Sequence, residues 1–231
     1  MTRYFEKILR HPGFIAVEFF ALCILTPGYI IYTKSAPFMF AFLWGAALYG
    51  YLILRVVYHD HLRDMWKFGE VNWANMKPIL LRWAAACIGM TLFIYFYDPE
   101  RMFAMFGRRV EEDPLMAFVA IPALMLAYTL VSALPQEFIF CSFFFERYKT
   151  FFGASTKMVI ASAVIFAYAH ILYINPVAPT LSLIAGLIFA LTYLKTKSLA
   201  LVTLEHGLYG SYLFIVGLGW YFYGGSVVAQ G

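Results

Sequence analysis

Charge is what this sequence has least of. Only 13% of its 231 residues are Asp, Glu, Lys or Arg, against 63% that are hydrophobic. A soluble domain carries about a quarter charged residues and roughly half apolar ones, so no water-exposed surface can be assembled from this composition. Cysteine is scarce as well. Cys23, Cys87 and Cys141 each fall inside an apolar run, and an odd number of thiols without CxxC spacing argues against a disulfide framework and a cysteine-based zinc site. Internal repeats and a separate polar domain are also missing. These absences exclude a nucleic-acid binder, a secreted disulfide scaffold and a disordered chain. The formal net charge of +4 reads as a topology signal rather than the footprint of an acidic partner.

What the sequence does have is apolar runs long enough to cross a bilayer. Arg3, Lys7 and Arg10 precede the run Phe14 to Tyr32, which is too long for a signal h-region and lacks a small-x-small cleavage site. It reads as an uncleaved first span. A second span runs from about Pro37 to Val57. Between Tyr58 and Lys77, charged residues alternate with Trp66, Phe68 and Trp73, as expected of a segment at headgroup level. Within it His59, Asp60, His61 and Asp64 have metal-like chemistry but read as a solvated face. A third span covers about Ile79 to Tyr97, with Arg82 near enough to its end to snorkel. The polar interval Asp98 to Pro114 follows, with Arg108-Arg109 and Glu111-Glu112-Asp113 read as a loop held by local ion pairs.

Leu115 to Phe152 is 38 residues of nearly unbroken apolar sequence, about 57 Å as helix and almost twice a hydrocarbon core. A turn is therefore predicted at Pro135. Met158 to Leu194 contains no Asp, Glu, Lys or Arg and is divided by Pro176 and Pro179. Ser198 to Tyr223 forms the last span. The Phe143 to Phe145 run reads as a lipid-facing or packing surface, and the glycine pairs Gly207/Gly210 and Gly217/Gly219 read as helix-packing features. The result is an all-α, polytopic membrane helical bundle of about eight transmembrane helices. It comprises an N-terminal three-span region (1–114) and a C-terminal bundle (115–231). Eight spans distribute the basic residues almost evenly, so the positive-inside rule selects no orientation.

Ionisable groups inside hydrocarbon cost a few kcal/mol each, and here they are Glu18, Glu137, His170, Glu205 and His206. Glu18 reads as a snorkelling or helix-pairing residue. Glu137, His170 and His206 lie in three different predicted spans and can converge only at a bundle centre. A carboxylate in a dry site gains proton affinity and can act as general base on water. Imidazoles can share that proton or donate to the oxyanion of a tetrahedral intermediate. The same three groups could instead hold zinc, with Glu205 as a conceivable fourth ligand. Adjacent helical residues point about 100° apart, however, so Glu205 and His206 do not suit one site. A metal-free site is favoured.

At these residues the sequence resembles the CPBP intramembrane proteases, which include the CAAX prenyl endopeptidases and bacterial bacteriocin-processing and immunity proteins. That family shows Glu-Glu-x-x-x-Arg, then Phe-x-x-x-His, then His-x-x-x-Asn or Asp. Here the second motif is intact as Phe166 to His170, the first appears as Gln136-Glu137-Phe138-Ile139-Phe140-Cys141, and the third as His206-Gly207-Leu208-Tyr209-Gly210. The resemblance covers roughly residues 115 to 222 and makes 115–231 a CPBP-like bundle. It implies an intramembrane endopeptidase using glutamate-activated water, with Glu137 and His170 on the water and His206 on the scissile carbonyl. Gln136, Cys141 and Gly210 stand as accessory positions where the family has Glu, Arg and Asn or Asp. The implied partners are membrane lipids and a membrane-associated, conceivably lipidated, peptide or protein, with no nucleic acid. The expected location is the bacterial inner membrane. The three departures also support a second reading, a degraded binding or immunity protein. A proton-coupled transporter is a third, disfavoured because no inverted repeat is seen.

Overall fold

The computed structural model describes residues 2–104, 107 and 113–223. The described residues form helices and connecting turns, and seven helices are long and apolar enough to cross a membrane. We label them α1 (Pro12–Tyr32), α2 (Ala36–Val57), α3 (Trp73–Tyr97), α4 (Val119–Arg147), α5 (Thr156–Tyr173), α6 (Val177–Thr196) and α7 (Leu199–Val216). The protein is an integral membrane helical bundle. The α7 helix lies at its centre: 67% of its apolar window is buried inside the protein, against 17% for α3. It packs on α3, α4 and α6, and α5 and α6 form a tight helical hairpin. Arg108, Arg109, Glu111 and Glu112 lie outside the described residues.

The expected turn at Pro135 is not made. The 29-residue α4 runs through it, roughly 44 Å at 1.5 Å per residue. Proline lacks an N–H and its ring crowds the carbonyl four residues earlier. The helix absorbs this by widening into π-helix over Thr129–Ala133 and again over Phe138–Phe143. The carbonyl that Pro135 leaves unpaired, that of Val131, accepts instead from the Trp44 indole at 3.1 Å. The Phe140 carbonyl accepts from Ser162 Oγ at 2.6 Å. Neighbouring helices thus satisfy the backbone groups that the distortion frees, as a membrane interior demands. Glu137 sits between the two π-segments, and such bulges occur frequently at functional sites.

Fusing two expected spans into one changes the charge balance. Leaving aside Arg82 and Arg147, which are paired inside the protein, eleven Lys and Arg fall on the N-terminal side of the bundle. They are Arg3, Lys7, Arg10, Arg55, Arg63, Lys67, Lys77, Lys149, Lys157, Lys195 and Lys197. Among the described residues only Lys34 and Arg101 fall on the other side. The positive-inside rule then places the N-terminal side in the cytoplasm. A single cysteine at Ser35, in a background lacking the native three, should react with a membrane-impermeant maleimide in intact cells. One at Gly153 should react only after permeabilisation; the opposite pattern would reverse the assignment.

One buried and one half-buried ion pair tie the N-terminal helices to the rest. Arg147 Nε and Nη2 donate to Glu18 Oε1 and Oε2 at 2.8 and 2.7 Å, and Tyr49 Oη donates to Oε2 at 2.7 Å. Glu18 is therefore a helix-pairing residue. Arg82 does not snorkel: its Nε donates to Glu205 Oε1 at 2.6 Å and its Nη2 to Thr192 Oγ1 at 2.6 Å. Phe143, Phe144 and Phe145 are all buried and pack in the core shared by both halves of the chain. Gly217, with φ +110°, ends α7; an added Cβ there would overlap the Arg101 carbonyl. It is a helix stop and also a point of close backbone approach.

The interfacial segment holds a short helix, His59–Asp64, and its backbone caps α7, whose Ser198 Oγ donates to the Trp66 and Lys67 carbonyls at 3.1 Å. Asp60, Arg63 and Asp64 are exposed and pair with one another, but His61 is not part of that solvated face. Its Nε2 lies 3.0 Å from Ser142 Oγ and its Nδ1 lies 3.7 Å from Glu146. Burial pushes the imidazole below its ordinary pKa, outweighing the pull of Glu146, and Lys149 and Lys197 act in the same direction as burial. An unfolded chain therefore binds the His61 proton at a higher pH than the folded one. Thermal stability in detergent is expected to fall as the pH drops below about 6.5. His61→Gln should weaken that fall; an unchanged pH dependence would show that His61 does not contribute.

Candidate active site

A cavity of about 720 Å³ lies between α2, α3, α4, α5, α6 and α7. It reaches from Ala86 and His206 in the middle of the bundle to the end carrying Ala36, Pro37 and Tyr173, the sparsely charged side. Apolar groups such as Met90, Leu124, Ile188 and Leu213 dominate its lining, and Tyr128, Ser132, Gln136, His170 and His206 supply polar atoms. A concave apolar cavity with a few convergent polar groups is the general form of a binding site.

Three helices bring the sequence-derived candidates to this cavity. From α7, His206 donates Nδ1–H to Glu137 Oε1 of α4 at 2.7 Å. That bond leaves Nε2 to face the cavity, where Tyr128 Oη lies 3.0 Å away. The His206 ring is held flat against Phe189, with centroids 4.6 Å apart. His170 caps the α-helical part of α5, before its final 3-10 turn, and donates Nδ1–H to the Phe166 carbonyl at 2.7 Å; its Nε2 makes no hydrogen bond among the described residues. The Phe166 ring touches both imidazoles, at 4.6 Å from His170 and 5.8 Å from His206. The spacing of Phe166 and His170 therefore does two things: the carbonyl of residue i fixes the tautomer of residue i+4, and the ring separates the two imidazoles.

The adjacent residues Gln136 and Glu137 divide by direction. Gln136 is on the cavity wall; its Nε2 donates to Ser132 Oγ at 2.9 Å, while its buried Oε1 has no hydrogen-bond partner among the described residues. Glu137 is 1% exposed and is not part of the wall. Its carboxylate stands behind His206. Cys141, one turn further along α4, is buried and lines neither this cavity nor a smaller neighbouring one. Gly210 is on the wall, one turn after His206, and an added Cβ there would overlap Cζ and Oη of Tyr128. At Gly207 an added Cβ would meet Thr129 Oγ1, so these two glycines let α4 and α7 approach closely.

Glu205 is fully buried on the Arg82 side of α7, away from His206 as the helical angle requires. Among the described residues no three His, Cys, Asp or Glu side chains are grouped to hold a metal ion. The donor set explains this. Glu137 is hydrogen-bonded to the far nitrogen of His206, the position of a group that orients a ligand rather than one that binds beside it.

Sequence reasoning missed three polar groups: Tyr128, the Arg147 partner of Glu18 and the Arg82 partner of Glu205. For the arginines a signal existed, since each buried glutamate required a cation. Tyr128 gave none, being one of 17 tyrosines.

Fold and site together define a membrane-embedded bundle with a carboxylate–imidazole pair at the wall of a large apolar cavity. Comparison with known families finds a similarity in that region: residues 118–212 match the family model described as Rce1-like, type II CAAX prenyl endopeptidase. The matched segment begins at the start of α4 and ends in α7, enclosing Tyr128, Glu137, His170 and His206. It agrees with the resemblance carried by the three motifs, and the family is one of CAAX-type membrane proteases. No curated protein and no solved structure shows a match to the chain.

Proposed function

We propose that the protein is an intramembrane endopeptidase in which the Glu137–His206 pair activates water within the cavity. The observation that carries this reading is the 2.7 Å bond from His206 Nδ1 to a carboxylate that stands outside the cavity wall. That bond fixes the tautomer with the Nε2 lone pair toward the cavity, and the buried charge favours the imidazolium formed when Nε2 takes a proton. Glu137 thus acts through His206 rather than on water directly. Water attacks the scissile carbonyl as His206 Nε2 removes its proton. On collapse of the tetrahedral intermediate the C–N bond breaks, and His206 returns the proton to the leaving amine. His170 Nε2 and Gln136 lie on the same wall and hold the peptide or the water by hydrogen bonds.

The family match supports a membrane-associated peptide as the substrate class, with a lipidated C-terminal peptide its first candidate. The apolar lining suits either a lipid or a hydrophobic segment. A bacterial inner membrane is the proposed location. The test is direct: protein reconstituted in liposomes is offered a farnesylated peptide ending in CAAX and an unlipidated membrane-spanning peptide, and products are identified by mass spectrometry. Cleavage of either supports the reading. Cleavage of neither, in a protein that restoring Gln136→Glu and Cys141→Arg makes active, would establish the degraded-site reading that Gln136 favours.

A further inference from the structure

We propose that Tyr128 supplies the oxyanion donor of the site and that its phenol occupies the space of a side chain at position 210. This inference rests on the endopeptidase reading above. Residues 206 and 210 are one turn apart on α7, so a side chain at 210 would lie beside His206 on the same face. Position 210 is glycine, and the volume its side chain would fill is occupied: a Cβ there would overlap Cζ and Oη of Tyr128. Tyr128 comes from the opposite helix, at the residue before the first π-segment of α4. Its hydroxyl lies 3.0 Å from His206 Nε2 and both residues line the cavity. The ring is held by Phe214, with centroids 5.4 Å apart. The phenol from α4 thus occupies the place that a side chain at 210 on α7 would take, and it can donate a hydrogen bond there.

The chemistry follows from that placement. In the resting site Tyr128 O–H donates to His206 Nε2. When water takes that acceptor, rotation about the C–O bond turns the phenolic proton into the cavity. Attack by water moves the carbonyl π electrons onto oxygen, and the Tyr128 O–H donates to the oxyanion without transferring its proton. Water's proton goes to His206 and then to the amine, so Tyr128 is unchanged at the end of the cycle. Removing one donor of this kind costs about 10²- to 10³-fold in kcat.

The experiment compares four proteins in liposomes with the two peptides named above. Tyr128→Phe keeps the ring and removes the donor. It is expected to lower kcat by about 10²-fold or more with KM and thermal stability close to those of the parent. Tyr128→Ala should be equally impaired. Adding Gly210→Asn to it puts an amide donor into the space vacated by the ring and should restore at least tenfold of the lost rate. Wild-type cleavage with an unimpaired Tyr128→Phe would overturn the role of Tyr128 while leaving the endopeptidase reading intact. So would an impaired Tyr128→Phe beside a Tyr128→Ala variant in which adding Gly210→Asn recovers nothing. No cleavage of either peptide by the wild type would remove both together.

Discussion

Glu137→Gln is expected to lower kcat by about 10³- to 10⁴-fold while leaving KM and the fold nearly unchanged. The carboxylate accepts the Nδ1–H of His206 and touches no part of the cavity, so its removal takes nothing away from substrate binding. A glutamine amide turned toward His206 would donate to Nδ1 and move the imidazole proton to Nε2. The lone pair that removes the proton from water would then point into the protein. In an oriented carboxylate–imidazole pair this change of tautomer costs about 10⁴ in kcat. The measurement is steady-state cleavage by the purified variant in liposomes, with kcat and KM resolved separately. A variant that lost binding but kept kcat would show that Glu137 meets the substrate, contrary to its position behind the imidazole. Glu137→Asp, which keeps the charge but shortens the reach, should fall between the two.

The second large effect concerns stability. Arg147→Met is expected to destabilise the protein by about 3–5 kcal/mol, the cost of leaving one member of a buried pair uncompensated. Both side chains are essentially inaccessible, at 0% for Arg147 and 2% for Glu18, and Arg147 also donates to the Leu9 carbonyl at 2.9 Å. The pair fastens the first spanning helix to the end of α4, the helix that carries Gln136 and Glu137. Glu18→Leu combined with Arg147→Met should recover part of the loss, because neither charge is then stranded. Recovery is incomplete because Tyr49 and Tyr148 both donate to Glu18, and each hydroxyl left unpaired costs about 1–3 kcal/mol. Equilibrium unfolding in mixed micelles measures both values. Equal stability of the single and double variants would show that the pair is not the fastening.

Much of this architecture was legible in the chain itself. The apolar runs gave the spanning helices, and the loops between α1 and α2 and between α5 and α6 fall where Pro37 and Pro176 predicted. One boundary failed for a physical reason. Pro135 is a helix breaker in water, but a helix in lipid keeps its course when another helix caps the freed carbonyl, and here the cap is Trp44, 87 residues away along the chain from Val131. Local sequence cannot announce that partner. The error propagated: an extra crossing inverted the sidedness of every later loop and concealed the asymmetry of the basic residues.

For the candidate residues, the convergence was legible more than the directions they face. Glu137 and His206 meet, and His170 shares the cavity with His206, as expected of polar groups that hydrocarbon forces together. The direction each faces was not legible. Gln136 and Glu137 are neighbours in sequence and point about 100° apart on the helix, and only the packing of α4 against α7 decides that the amide lines the cavity while the carboxylate backs the imidazole. Gly210 was visible as a missing side chain, but the tyrosine that fills its place comes from a helix 82 residues earlier. No spacing rule connects the two.

The central claim is that His206 is the group that moves the proton. Its most direct test is the cleavage rate of His206→Ala, measured beside the thermal stability of the same preparation. The account predicts a correctly folded protein whose rate falls at least 10³-fold and does not return when the pH is raised. A folded variant that still cuts at a rate near the wild type's would contradict it.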